Sequence, residues 1–182
     1  MDKLEGETCP MCGEKKLTLI EDEQDLPYFG KTFLFSMSCS ACGFNKSDVE
    51  AAERKEPCRI TFETKTVKDM NVRVVKSSEA TVKVIPFKME MTPGPASIGF
   101  ISNVEGILDK FEKIVQSEKN ADEDDDKVKT ACKNLLKKIW KAKCGDIPVK
   151  IVIEDPSGNS AIISENAVVE PLKASKGKKA KK

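Results

Sequence analysis

Cys9-Pro-Met-Cys12-Gly13 and, after 26 intervening residues, Cys39-Ser-Ala-Cys42-Gly43 are two copies of one pattern: paired cysteines two residues apart, with glycine directly behind the second. A tight turn of this kind brings two thiolates onto one metal ion. Its backbone N–H groups point at sulfur, and glycine accepts the positive φ that closes it. Two such turns supply the four sulfurs of a tetrahedral site, so the spacing predicts one Zn2+ per chain, held by Cys9, Cys12, Cys39 and Cys42. Unrelated thiols or disulfides, or a rubredoxin-like iron site, are the alternatives. A four-thiolate site is closed and leaves no position for water or substrate, so the metal is expected to be structural.

Working outward, Lys16–Ile20 and Phe33–Met37 read as strands and Glu21–Asp25 as an acidic turn between them, the layout of a zinc ribbon over residues 1–50. Asp48–Pro57 is polar and reads as helix or linker, with the linker placed at 51–58. A β-rich region follows. Arg59–Val67 alternates with period two and puts Ile60 and Phe62 on one face. Met70–Lys76 and Thr81–Val84 are further strands around a turn at Ser77–Glu79. The apolar phase slips at Pro86, which predicts a bulge or a corner between sheets.

Val104–Lys119 and Asp126–Lys143 carry apolar residues at helical spacing, the second through Val128, Ala131, Cys132, Leu135, Leu136, Ile139 and Trp140. The acidic connector between them is short, so the two helices are expected to form an antiparallel hairpin spanning 104–144. Cys132 and Cys144 are read as small core residues, and Cys58 is given no partner. Strand character returns at Pro148–Ile153 and Ala161–Ile163, flanking Asp155-Pro-Ser-Gly-Asn-Ser160, whose composition is that of a turn. Gly99 and Gly106 are expected to serve backbone geometry ahead of the first helix. The fold class is thus α+β, mainly β: zinc ribbon, then a β domain over 59–172 with an inserted helical hairpin, then a disordered lysine-rich tail at 173–182.

Composition narrows the function. The 182 residues contain no histidine, which removes Ser-His-Asp and Cys-His catalysis, HExxH proteases and every histidine-bearing zinc site. An enzyme built on carboxylates or lysines is disfavoured, and none is expected. The net charge of +1 hides an asymmetry: without the six lysines of Lys173–Lys182, 25 basic residues face 30 acidic ones. An acidic body is a poor match for a nucleic-acid-binding surface, although the tail offers nonspecific contact with RNA. No apolar run approaches the roughly 18 residues of a membrane span. The opening residues lack the apolar core of a secretory signal, so a cytoplasmic location is expected.

Two features suggest contacts. Lys129, Lys133, Lys137 and Lys141 form an i, i+4 stripe on the second helix, joined by Lys138. This is either a basic face for an acidic partner or a solvated face balanced by Asp109 and Glu112. Tyr28 and Phe29, on the ribbon loop, either pack on the β domain or stand as an exposed apolar contact.

These residues together resemble the ZPR-type zinc-finger domain family. The resemblance runs in order through both cysteine pairs, Leu26–Gly30, Ser36–Asn45, Val74–Ser77, Ala80–Val82, Met91–Gly94, Asn103–Ile107 and Asp155–Ser160. It implies a zinc ribbon followed by a barrel-like domain of the double-stranded β-helix type with a helical-hairpin insertion. The chain has room for one copy, like the shorter archaeal members; eukaryotic members carry two. The resemblance further implies a protein-binding role without a small-molecule substrate, as an adaptor or folding factor for the translation GTPase elongation factor one-alpha. The alternative is an RNA- or ribosome-binding zinc-ribbon protein. Tyr28, Phe29, Lys133, Lys137 and Lys141 are the candidate partner contacts.

Overall fold

The computed structural model describes residues 1–26, 30–95, 97–121 and 126–172. Four antiparallel strands make the first sheet, in the order β1 (Asp2–Glu7), β2 (Leu17–Leu26), β3 (Gly30–Cys39) and β4 (Asn45–Ala51). The acidic stretch read as a turn is strand. Glu21 to Asp25 continue β2 and pair with Phe35 to Lys31 of β3. Low β propensity does not break the ladder here, because this part of β2 is largely solvated and opposite charges lie near one another across it. Lys31 Nζ sits 2.7 Å from Glu23, a pairing that favours neighbouring strands. The ladder runs on as far as Leu26 opposite Gly30.

Asp48–Ala51, the start of the stretch read as helix or linker, is the end of strand β4, because β3 offers it a complete edge from Thr32 to Ser38. β1 was not foreseen: all six of its residues are exposed, so no apolar alternation marks it.

Two more sheets follow. The larger has the order β12 (Val168–Pro171), β5 (Cys58–Glu63), β10 (Lys150–Asp155), β7 (Thr81–Ile85), β8 (Met89–Met91). The smaller is β11 (Ala161–Ile162), β6 (Arg73–Lys76), β9 (Phe100–Asn103). A 3-10 turn at Val67–Asn71 takes the start of what reads as one strand up to Lys76. The phase slip at Pro86 is a hairpin within one sheet and not a corner between two. Ile85–Pro86 is cis, Lys88 takes positive φ, and β8 folds straight back onto β7 with Val84 opposite Met89. The corner between sheets lies instead at Ser77–Glu79, where β6 leaves the small sheet and β7 enters the large one.

Both sheets and the hairpin share one core. Ile60, Phe62, Val82, Val84, Ile151 and Ile153 come from the large sheet, and Val74 and Ile162 from the small one. The helices α1 (Val104–Ala121) and α2 (Asp126–Lys143) add Val104, Ile107, Leu108, Phe111, Ile139 and Ala142. Asn103 caps α1, its Oδ1 accepting from Gly106 N at 2.7 Å, the usual way an orphan helix donor is satisfied. Lys143 near the end of α2 pairs with Asp109 and Glu112 of α1, so the hairpin is clamped by charge as well as by packing.

Several residues of the helical apolar stripes stay outside. Trp140 is 63% exposed and Ile114 53%, Cys144 is exposed and Cys132 half-buried. The hairpin covers the core with one narrow face of each helix, so residues at the margin of each stripe reach solvent. Cys144, read as a core residue, lies just past the end of α2. The tail, residues 122–125 of the connector, Tyr28 and Phe29 lie outside the described residues.

Candidate metal centre

Each cysteine pair begins where a strand meets a tight turn. In the first, Cys9 N donates to Glu14 O at 2.9 Å and Gly13 N to Cys9 O at 2.9 Å. In the second, Cys39 N donates to Phe44 O at 2.8 Å and Gly43 N to Cys39 O at 3.0 Å. Gly13 and Gly43 adopt φ of 76° and 74°, where a Cβ would strain the backbone. The turns are thus near copies in geometry as well as in sequence, held side by side because Leu17 of β2 pairs with Cys39 of β3.

All four sulfurs lie within 4.8 Å of one another. Cys9 and Cys42 Sγ are 3.7 Å apart, and Cys12 and Cys39 Sγ 3.8 Å. A disulfide needs about 2.05 Å, so these are separate thiols. A tetrahedron of sulfurs about 2.3 Å from a central zinc has edges of about 3.8 Å, which the Cys9–Cys42 and Cys12–Cys39 separations match. Met11 N points at Cys9 Sγ from 3.4 Å, the donor that a coordinated thiolate accepts.

The thiol chemistry agrees. Burial opposes ionisation of Cys9, yet the backbone N–H groups of Cys12 and Met11 overcome it and bring the thiol down to about 7. Cys12 accepts from the Glu14 backbone, but burial and the three neighbouring thiols push it up to about 12. Four sulfurs this close cannot all ionise alone; a divalent cation at their centre supplies the missing charge. The donor set therefore fits one Zn2+, with Cys9 and Cys39 buried and Cys12 and Cys42 exposed. Leu17 and the two buried cysteines form a core of their own, flanked by Leu19, Met37 and Phe44.

Lys133, Lys137 and Lys141 are all exposed on α2. Asp109 and Glu112 pair with Lys143, a residue outside the stripe that the sequence reading had them balance. At 100° per residue, Lys133, Lys137 and Trp140 fall within about 60° on the helix. An indole thus stands among lysines on the solvent side.

A second polar centre was legible only as a turn. Asp155 is fully buried and its carboxylate accepts four bonds: from Ser157 N and Oγ at 2.8 and 2.7 Å, and from Ser160 N and Oγ at 2.7 and 2.6 Å. Burial pushes this carboxyl up, but the bonds from Ser160 and Ser157 outweigh it and hold it below the usual carboxylate range. Ser160 Oγ in turn accepts from Ser77 N at 3.0 Å, tying the β10–β11 turn to the corner after β6. Next to it Lys76, 1% exposed, donates to Ser77 O at 2.9 Å. Burial lowers its basicity, partly offset by Asp155 and Asp48.

The first sheet meets the rest of the chain here. Gly99 N donates to Asp48 Oδ1 at 2.8 Å, and a Cβ at Gly99 would overlap Val49 O. The glycine is required by this close approach of β4.

A four-thiolate ribbon joined to a two-sheet β fold with a helical hairpin defines the class: a zinc-ribbon protein with a jelly-roll body. Comparison with known proteins names the family. The profile of the ZPR1 zinc-finger domain matches residues 4–57 and that of the ZPR1 jelly-roll domain residues 68–178. A ZPR1-like protein of Methanocaldococcus jannaschii is 36% identical over 173 residues, which cover 94% of this chain and 87% of the relative. One of Pyrococcus horikoshii is 35% identical over 160 residues, covering 86% and 72%. The zinc finger chaperone zpr1 of Schizosaccharomyces pombe is 29% identical over 157 residues, covering 85% of this chain but 33% of that protein. The chain belongs to the ZPR1 zinc-finger family.

Proposed function

We propose that this chain is a cytoplasmic protein-binding module of the chaperone or adaptor kind, acting on a translation GTPase, elongation factor one-alpha. The observation that carries the reading is Trp140. An indole left 63% exposed on the lysine-bearing side of α2 is the residue type that most often anchors protein interfaces. The lysines around it, Lys133 and Lys137 above all, select an acidic surface and speed encounter. Lys141 and the ribbon loop with Tyr28 and Phe29 extend the candidate contact.

Catalysis has little support. The chain lacks histidine and the four thiolates complete the zinc coordination. The yeast relative is named a chaperone, which supports a client or partner protein over a substrate.

The test uses zinc-loaded protein and purified elongation factor one-alpha in a calorimetric titration. Binding is expected, with a loss of at least tenfold in Trp140→Ala and a comparable loss in the double variant Lys133→Glu, Lys137→Glu. Undiminished affinity in both variants, or no binding by the parent protein, overturns the reading. Association with ribosomal RNA that collapses with salt, as counterion release requires, would favour the RNA-binding alternative.

A further inference from the structure

The ribbon sheet has one aromatic face. Residues directly opposite each other on neighbouring strands share a face, and the register sets Phe33, Phe35 and Met37 of β3 in a central row. Glu21 and Glu23 of β2 flank that row on one side, and Asp48 and Glu50 of β4 on the other. Asp2 and Asp25 fall on the same face, whose six carboxylates are set against two lysines, Lys31 and Lys46.

Among the described residues this face stays open. The Phe33 and Phe35 rings are 6.5 Å apart and half-buried. Phe35 and Met37 line a groove of about 250 Å³ together with Glu50. Glu23 is answered by Lys31, whereas Glu21 and Glu50 are exposed and have no ion pair among the described residues. The body meets the sheet along β4, through Asp48 and Val49.

These groups define the chemistry of an occupant. Aromatic faces attract cations, and the carboxylates around them add to the pull. A lysine answers both, its stem packing on a ring while its ammonium stays at the polar rim. An anion is repelled, and a purely apolar strand leaves the carboxylates unanswered.

The chain carries such a segment. Residues 173–182 contain six lysines and no acidic residue. Their root is fixed: β12 pairs with β5 as far as Pro171 opposite Cys58, and Leu172 N donates to Pro57 O at 2.9 Å. The pairing is antiparallel, so at Leu172 the chain is headed back along the linker toward the ribbon. At the ribbon end of that linker Ala52 N donates to Lys31 O at 2.9 Å, beside Glu23 and Phe33. Fully extended, the six linker residues span about 20 Å and ten tail residues about 33 Å. The length left over brings Lys179, Lys181 and Lys182 level with the aromatic row.

We infer that the lysine-rich segment 173–182 folds back onto this carboxylate-rimmed aromatic face and covers it in the free chain. Tethering holds the segment at an effective concentration on the order of millimolar. A basic segment of another protein shares its chemistry and must displace it. The contact masks the ribbon face and the lysines together, and it does not depend on which protein the chain serves.

The test compares NMR spectra of the zinc-loaded, isotope-labelled full chain with those of the triple variant Lys179→Gln, Lys181→Gln, Lys182→Gln. At low salt the two should differ at the amides of Glu21, Glu23, Phe33, Phe35 and Glu50, and the difference should fade as salt rises. The N-acetylated peptide Lys173–Lys182, added to the triple variant, should shift the same amides saturably. It should bind the parent chain at least about threefold more weakly, because the tail competes. Adding Glu21→Gln and Glu50→Gln to the triple variant should weaken the peptide at least about threefold. Identical spectra of parent and triple variant overturn the inference, as does a peptide that fails to bind the variant or ignores the two glutamate changes. Equal peptide affinity for parent and triple variant also overturns it, and would leave the face to a basic segment of a partner.

Discussion

The first 51 residues and the jelly-roll body are both antiparallel β, and they stay folded for opposite reasons. Among the described residues the ribbon has three buried core residues, two of which are its own zinc ligands, whereas eighteen buried residues from the sheets, the helices and their connections fill the body. A sheet that thin cannot offset the conformational entropy of its strands by burial alone; the metal does it. The body needs no ion because its helices close the open face of the sheets. One chain thus joins a coordination-held unit to a packing-held one.

The largest effect that would sharpen this contrast is on the metal. Cys39→Ser, or a strong chelator, should remove folding free energy on the order of 10 kcal/mol from the ribbon. Hydrogen exchange should then show residues 2–51 unprotected while β5, β7 and β10 keep their protection. Loss of protection throughout would mean that the body leans on the ion too. Conversely, Phe62→Ala opens a cavity in the body and should cost about 3–5 kcal/mol, read as a lower urea midpoint. Zinc affinity, measured by competition with a chromophoric chelator, should not change.

Much of this division could be read from the residues themselves. The cysteine pairs fixed the metal and its ligands because coordination chemistry constrains spacing tightly. The helices were legible from their 3.6 period, α2 to its terminal residues. β1, β4 and the second half of β2 were not, because their residues are mostly polar and carry no apolar alternation. Nor could the sequence show that Trp140 faces solvent: it sits at the edge of an apolar stripe whose width depends on how the hairpin tilts. Asp155-Pro-Ser-Gly-Asn-Ser160 announced a turn, but its buried carboxylate depends on Ser77, 83 positions earlier than Ser160, and no local pattern records that.

Asp155 offers a subtler break between the two regions. Its folded carboxyl titrates below the ordinary value of about 3.9, so the body gains stability that is fully present above that value and fades as the pH falls through the folded one. Asp155→Asn should cost about 3 kcal/mol at pH 7 and flatten the urea midpoint against pH below about 4. The comparison is made on chelator-treated protein, so that acid release of zinc plays no part. An unchanged acid limb would show that another carboxylate governs it.

Gly99→Ala targets the joint itself. The added methyl must displace the Val49 carbonyl, at a cost of about 1–3 kcal/mol, and should loosen β4 in hydrogen exchange without altering zinc content. Smallest of all should be Trp140→Ala, within about 0.5 kcal/mol of the parent stability despite its effect on partner binding. A larger loss would mean that the indole packs inside the hairpin after all.

The strand order of the large sheet also sets a timetable. β10 lies between β5 and β7, so its earlier neighbours have a vacant place between them until position 155 has been synthesised. The ribbon is complete by position 51 and can close on its ion while the ribosome is still adding the remainder. During vectorial synthesis, then, the zinc-bound end emerges finished, and the half-built body waits with its apolar strands uncovered.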